Sequence, residues 1–212
     1  MIHDFQYVSR EEYMPVKKEL EELIHHVQDE VRDKFTFSYT YVGSTHRNMI
    51  TRDLKGNLGY DFDVNLHVND DEEEFSEEEI RNIVKTAFDK HAWRFGYDYC
   101  ENSTRVLTIK KKDRWHGCII SSCDFAIVYD CADGRQQYIH FNKAQKSFAW
   151  RYLPQSNEQL EKKADWLKQK KGAWEEVRKV YLDKKNDNDD PNKRSRSLYA
   201  ETINEVYMRW HG

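Results

Sequence analysis

The sequence predicts an α+β fold: a mixed sheet of about five strands with two helices, ending near residue 145, followed by a short helical lobe over 146–212. Three observations lead there. Residues 60–68 alternate without a break, with Tyr60, Phe62, Val64, Leu66 and Val68 on one side of an extended strand and Asp61, Asp63, Asn65 and His67 on the other. Apolar residues recur at helical spacing over 10–33 and 76–89. From Ser147 onward the pattern turns helical. A chain of 212 residues is long enough for one domain with such an extension.

The first helix, about 10 to 33, carries Val16, Leu20, Leu23, Ile24, Val27 and Val31 on one face and Glu and Lys on the other. His25 and His26 lie in it and read as structural or solvated. A strand over 35–42 follows. Gly43-Ser44 then turns the chain, and glycine permits both the tight turn and a close backbone approach. The Ser44 hydroxyl and nearby N–H groups can hold a phosphate, or Ser44 can simply cap a short helix. Arg47 and Arg52 can meet phosphates or serve as surface charges. Residues 53–59 form a turn-rich connection.

In the alternating strand, Asp61 and Asp63 point the same way, roughly 6–7 Å apart. Two carboxylates at that spacing can share divalent cations, because Mg²⁺ takes hard oxygen ligands. An Asp-x-Asp is also what the wet face of a half-buried sheet looks like. Asp is a poor strand former, however, and two in one strand need a reason. A third isolated acid, Asp124, sits in the apolar run 118–128, where an unpaired carboxylate is costly unless it binds something.

Residues 69–74 form an acidic run that reads as a solvated loop. Ser76 and Glu79 make a capping box, and Phe75 with Ile80 the accompanying staple. The helix they start runs to about Asp89. Residues 93–100 and 104–111 read as strands joined through Glu101-Asn102-Ser103. Lys110, Lys111 and Lys112 close the second, either drawing in an acidic acceptor or marking a charged strand end. A strand over 117–129 holds Asp124, and a short return strand spans 137–141. In the lobe, Ser156 caps a helix carrying Leu160, Ala164, Trp166 and Leu167; a second runs from about Ala173 to Lys185; 186–192 is a polar loop; a last helix begins near Ser195.

Gly-Ser, then Asp-x-Asp on a strand, then a lone Asp on a neighbouring strand resembles the signature of polymerase-β-like nucleotidyltransferases. The connection between Gly-Ser and Asp-x-Asp is longer than that pattern expects and implies an extra loop. The tail 177–182, a charged loop, then 195–201 is similar to the helical lobe of oligoadenylate-synthase-like and cyclic GMP–AMP-synthase-like enzymes, the bacterial CD-NTase-like group. The resemblance implies a metal-dependent transfer of an NMP from an NTP such as ATP to a hydroxyl, with release of pyrophosphate. It implies Asp61, Asp63 and Asp124 as catalytic and metal-binding residues for Mg²⁺ or Mn²⁺. It implies Gly43 and Ser44 at the outer phosphates, with Arg178 or Lys179 and Ser197 toward the triphosphate. For Arg178 and Lys179 a plain helix surface is the competing reading.

Three functions are open at this point. The enzyme makes a cyclic or linear oligonucleotide signal; or it nucleotidylates another acceptor, such as an RNA 3′ end, a protein or an antibiotic; or the chain binds nucleotide without turnover. Clustered acids speak against the last. Formal net charge is −4, with 34% charged and 38% hydrophobic residues, so there is no global basic field for coating nucleic acid. Cys100, Cys118, Cys123 and Cys131 show no zinc spacing and read as reduced thiols. No basic leader and no long apolar run is present, which points to the cytoplasm without a membrane partner.

Overall fold

The computed structural model describes residues 3–70, 74–154 and 157–212. Strand β1 (Phe5–Tyr7) precedes helix α1 (Arg10–Val31), whose start is capped by the Ser9 side chain accepting from Glu12 N. Strand β2 (Thr36–Val42) runs straight into a single helical turn, α2 (Gly43–His46). Strand β3 (Thr51–Asp53) pairs with β1 in a two-stranded ribbon. Then come β4 (Tyr60–Asn69), helix α3 (Glu77–His91), and strands β5 (Glu101–Asn102), β6 (Leu107–Asp113), β7 (Cys118–Asp130), β8 (Gln136–Asn142) and β9 (Ser147–Tyr152). Helices α4 (Glu158–Lys168), α5 (Ala173–Asp187) and α6 (Ser195–His211) complete the chain.

The seven-stranded main sheet has the order β2-β4-β7-β6-β5, with β8 on β7 and β9 on β8. Only β4 and β7 run parallel; the other pairs are antiparallel. Thirteen-residue β7 serves two partners on one edge, β6 along its first part and β8 at its end. The apolar set Tyr60, Phe62, Val64, Leu66 and Val68 is buried, as are Cys123, Phe125 and Ile127 of β7. Leu20, Leu23, Ile24 and Val27 of α1 and Ile80, Val84 and Phe88 of α3 join the same core. Both helices therefore cover one face of the sheet, which leaves the acids on the other. The capping box of α3 is formed: Ser76 N donates to Glu79 Oε2 at 2.9 Å and Glu79 N to Ser76 Oγ at 3.4 Å.

Two compact units result. The larger holds Tyr7–Thr51 and Asn57–Leu153; the smaller holds Pro154–Gly212, Arg52–Gly56 and the segment ending at Gln6. The core of the smaller unit comes from Leu167 of α4, Val177 and Tyr181 of α5, and Leu198, Ile203 and Val206 of α6. Asn186 is the last turn of α5 rather than loop, and it exchanges two bonds with the Phe5 backbone, at 2.6 and 3.2 Å.

Three expectations are corrected. Residues 147–152 form strand β9, not the start of the helical part. Phe148 and Trp150 fall on one side of it and pack on the core, with Phe148 stacked on Phe141 at 4.6 Å. Residues 93–100 do not form a strand: α3 passes into a 3-10 turn at Ala92–Phe95 that Gly96 ends at φ 78°. The hairpin turn then lies at 103–106, with Ser103 N bonded to Val106 O. The expected cap Ser156 and acids 71–73 lie outside the described residues; the cap seen on α4 is Asn157, which accepts from Leu160 N.

Candidate active site

Strand register assembles the site. In the parallel pair β4–β7, Asp63 stands beside Asp124 and Asp61 beside Ser122. Side chains on paired positions share a face, so three carboxylates meet on one patch. One oxygen from each lies within 4.8 Å of the others. Two hydroxyls orient them. Ser122 Oγ donates to Asp61 Oδ1 at 2.8 Å, and Thr108 Oγ1, across the β6–β7 ladder, donates to Asp124 Oδ1 at 2.5 Å. Further along the same face, His67 bridges Thr40 Oγ1 and Asp130 Oδ2, each at 2.8 Å.

Gly43 closes the site from the side. Its φ is +61°, and a Cβ built there would stand 2.3 Å from Asp63 Oδ2. Only glycine lets the β2–α2 turn come this close to the carboxylate. Gly59, at the entry to β4, is under the same constraint, since a Cβ there would stand 2.2 Å from Ile120 O.

The electrostatics are those of acids held together against their repulsion. Burial pushes the Asp61 carboxyl up to about 7, the charges of Asp124 and Asp63 add to the rise, and the Ser122 hydroxyl opposes it. Burial and then Asp124 push Asp63 up to about 6, with the Arg47 charge opposing. Asp124 is raised by burial, against its bond to Thr108 and the charge of Lys110. Three hard oxygen donors whose ionised forms are disfavoured together fit a divalent cation, which would relieve both burial and repulsion.

A pH dependence follows. The unfolded chain gives up these protons near pH 4, whereas the folded domain holds them until pH 6–7. Without metal, folding stability contributed by this cluster should therefore fall as pH rises from about 4 to about 7 and then level. The Asp61→Asn, Asp63→Asn protein should lose most of that slope in chelator-containing melts, keeping only the part due to buried Asp124. Affinity for Mn²⁺ should climb through the same window, because the ion competes with protons. A melting profile identical in both proteins from pH 5 to 8 would overturn this account.

The structure brings Asp61, Asp63, Asp124 and Gly43 together, with Ser44 next in α2. Arg178 and Lys179 lie on α5 and exposed Ser197 in the first turn of α6, all in the smaller unit. Ser122 and Thr108 are not among the residues that the sequence points to. Ser122 carries a signal, being two residues before Asp124 and hence on its face; Thr108 has none, since its role depends on the β6–β7 register.

This order of sheet and helices is the fold seen in the solved structures of DncV and the CD-NTase CdnG. No family model and no curated protein matches the sequence. Among solved structures, the chain is similar to the GTP-bound form of Vibrio cholerae DncV, at 18% identity and TM-score 0.57, over 94% of this chain and 52% of that one. The 3′-deoxy ATP-bound form of DncV gives 16% identity and TM-score 0.58, over 94% and 53%. The Bradyrhizobium diazoefficiens CD-NTase CdnG in complex with GTP gives 13% and 0.53, over 73% and 41%. At these identities the likeness is one of fold, and the chain spans about half the length of DncV.

Proposed function

We propose that the chain is a metal-dependent nucleotidyltransferase that moves an NMP from an NTP to a hydroxyl. The observation that carries this is the register match of Asp63 with Asp124, which sets three carboxylate oxygens within 4.8 Å of one another. Asp61, Asp63 and Asp124 would hold Mg²⁺ or Mn²⁺. Such ions lower the pKa of an attacking hydroxyl and neutralise charge on the leaving pyrophosphate. In the reaction the acceptor oxygen bonds to the α-phosphorus, the bond from that phosphorus to the bridging oxygen breaks, and pyrophosphate departs. Asp124 accepts the acceptor's proton, for which its raised pKa suits it. Thr108 holds one oxygen of Asp124 in place, and Ser122 does the same for Asp61. Gly43 and Ser44 meet the outer phosphates, and the resemblance assigns Arg178, Lys179 and Ser197 to the triphosphate.

DncV is described as a cyclic AMP–GMP synthase with a linear pppA(3′,5′)pG intermediate. The shared fold supports a cyclic or linear oligonucleotide as the product here. Incubation with each labelled NTP in turn, then all four, with Mg²⁺ and separately Mn²⁺, tests the reading. A new oligonucleotide made by the wild type and not by an Asp61→Ala, Asp63→Ala control is expected. Failure to bind any NTP would overturn the proposal; binding without product would direct the search to an RNA, protein or small-molecule acceptor.

Gly43→Ala separates turn geometry from charge. The added methyl must displace the Asp63 carboxylate and accept a left-handed backbone costing roughly 1–2 kcal/mol. Turnover should fall about tenfold or more, since small misplacements are expensive in transfer chemistry. Steady-state kinetics with unchanged rates would show that the turn has no bearing on the site.

A further inference from the structure

On the acid face of the main sheet, Thr40, His67 and Asp130 form a chain of two hydrogen bonds for which the transfer reaction has no use. Asp130 Oδ2 meets His67 Nδ1 at 2.8 Å, and His67 Nε2 meets Thr40 Oγ1 at 2.8 Å. A carboxylate only accepts, so Nδ1 carries the ring proton. In the neutral ring Nε2 is then the acceptor and the Thr40 hydroxyl the donor. A hydroxyl, a base and an orienting acid thus stand in series, the arrangement that activates a nucleophile.

Thr40 is exposed on edge strand β2 and open to a reactant. The His67 side chain behind it is only 15% exposed, with both ring nitrogens engaged. Asp130, at the end of β7, is held in turn by Gln136 Nε2, which donates to its Oδ1 at 2.7 Å. Burial raises the Asp130 carboxyl, but the bonds from Gln136 and His67 outweigh that and hold it below its ordinary value, so it stays ionised.

Register sets the distance to the acids. Thr40 pairs with Asn65 and Val42 with Asp63, so Thr40 lies one strand repeat, roughly 7 Å, from the level of Asp63. Just past Val42 the chain turns at Gly43, against the Asp63 carboxylate. Along β2, the Thr40 hydroxyl and the glycine turn therefore flank Asp63. A metal ion on that carboxylate and a phosphoryl group bound to the ion would span a gap of this size.

We propose that the chain nucleotidylates itself at Thr40, which rests on the NMP transfer proposed above. Thr40 Oγ1 bonds to the α-phosphorus of the bound NTP, the bond from that phosphorus to the bridging oxygen breaks, pyrophosphate leaves, and His67 Nε2 takes the hydroxyl proton. The product is a phosphodiester between Thr40 and the nucleoside.

The test incubates the full chain with Mn²⁺ and each NTP, α-labelled and separately γ-labelled, then denatures it. Label from the α-position alone is expected to stay on the protein, stable to acid and to hydroxylamine, and to map by peptide mass spectrometry to Thr40 as one added NMP. An Asp61→Asn, Asp63→Asn control should lose it. Thr40→Val should abolish it and Thr40→Ser should retain it, since the hydroxyl is what reacts. His67→Gln can still bond to Thr40 but is no base; it should slow labelling about a hundredfold or more, the scale of general-base catalysis, while melting as the wild type does. Absence of stable label, label that persists in Thr40→Val, or acid-labile label on a histidine would overturn the proposal. So would labelling of His67→Gln at the wild-type rate, since Thr40 would then need no base. The same samples are assayed for NTP binding and for oligonucleotide product. Either of these without label sinks the self-modification alone; failure to bind any NTP sinks the transfer reading with it.

Discussion

Asp63→Asn is expected to reduce NMP transfer by about a thousandfold or more while making the metal-free protein more stable. Asn has the size of Asp, so it clears Gly43 and keeps the strand. What it lacks is charge. A bound divalent ion supplies several kcal/mol of transition-state stabilisation, and about 4 kcal/mol corresponds to a thousandfold in rate. The stability gain has the opposite origin. Burial and Asp124 together disfavour ionised Asp63, and the attraction of Arg47 opposes them without cancelling them. Removing the charge relieves that conflict for Asp61 and Asp63 alike, since Asp63 also raises Asp61. At pH 8 in chelator the variant should melt a few degrees higher; with Mn²⁺ and nucleotide the order should reverse, because only the wild type gains from binding. Radiolabelled product formation and paired melting curves check both halves. A variant that keeps a tenth of the activity, or melts lower in chelator, would remove Asp63 from the proposed role.

Arg81→Met is expected to cost about 3–5 kcal/mol of folding stability, since it leaves several buried neutral acceptors unsatisfied at about 1–3 kcal/mol each. Arg81 is 1% exposed, and the partners of its guanidinium among the described residues are neutral oxygens. Its Nε donates to Asn102 Oδ1 at 2.8 Å, one terminal nitrogen to Ile139 O at 3.0 Å, and the other to Ser103 O at 2.6 Å and Val106 O at 2.9 Å. One side chain thus ties α3 to the β5–β6 turn and to β8. Burial draws its pKa down to about 10, still well above neutrality, so it stays charged. Methionine fills much of the volume and strands those acceptors, each an expensive loss. The melting temperature should drop by on the order of 10 °C. Calorimetry that finds less than about 1 kcal/mol lost would show that water replaces the guanidinium at little cost. Activity well below the melting temperature should persist, since Arg81 touches none of the three acids.

Arg81 also marks where sequence reading stops. In the helix 77–91 it looks like a surface residue among Glu and Lys, and the capping box and the stripe Ile80, Val84, Ala87 and Phe88 were all that local pattern could offer. Its burial depends on β5, β6 and β8 returning over one flank of α3, which is a long-range event. The same division runs through the rest of the chain. The strict alternation of 60–68 determined which residues of β4 face the core and that Asp61 and Asp63 share the other side, because a strand's period is two. Helical spacing determined α1 and most of α3 for the same local reason. The strand at 147–152 carries a local signal, the alternation of Phe148, Trp150 and Tyr152, but the helical composition beyond it masks that signal.

What sequence alone determined was the two faces of β4, the main helices and the candidate acids. Tertiary structure alone decided that β7 lies parallel to β4 with Asp124 beside Asp63 and not one residue off. A slip of one would have turned Asp124 into the core. It also set Thr108 on Asp124 and Gly43 against Asp63. Each of these is a meeting of residues far apart in the chain. No periodicity encodes such meetings, since they depend on which strands pair and in what register.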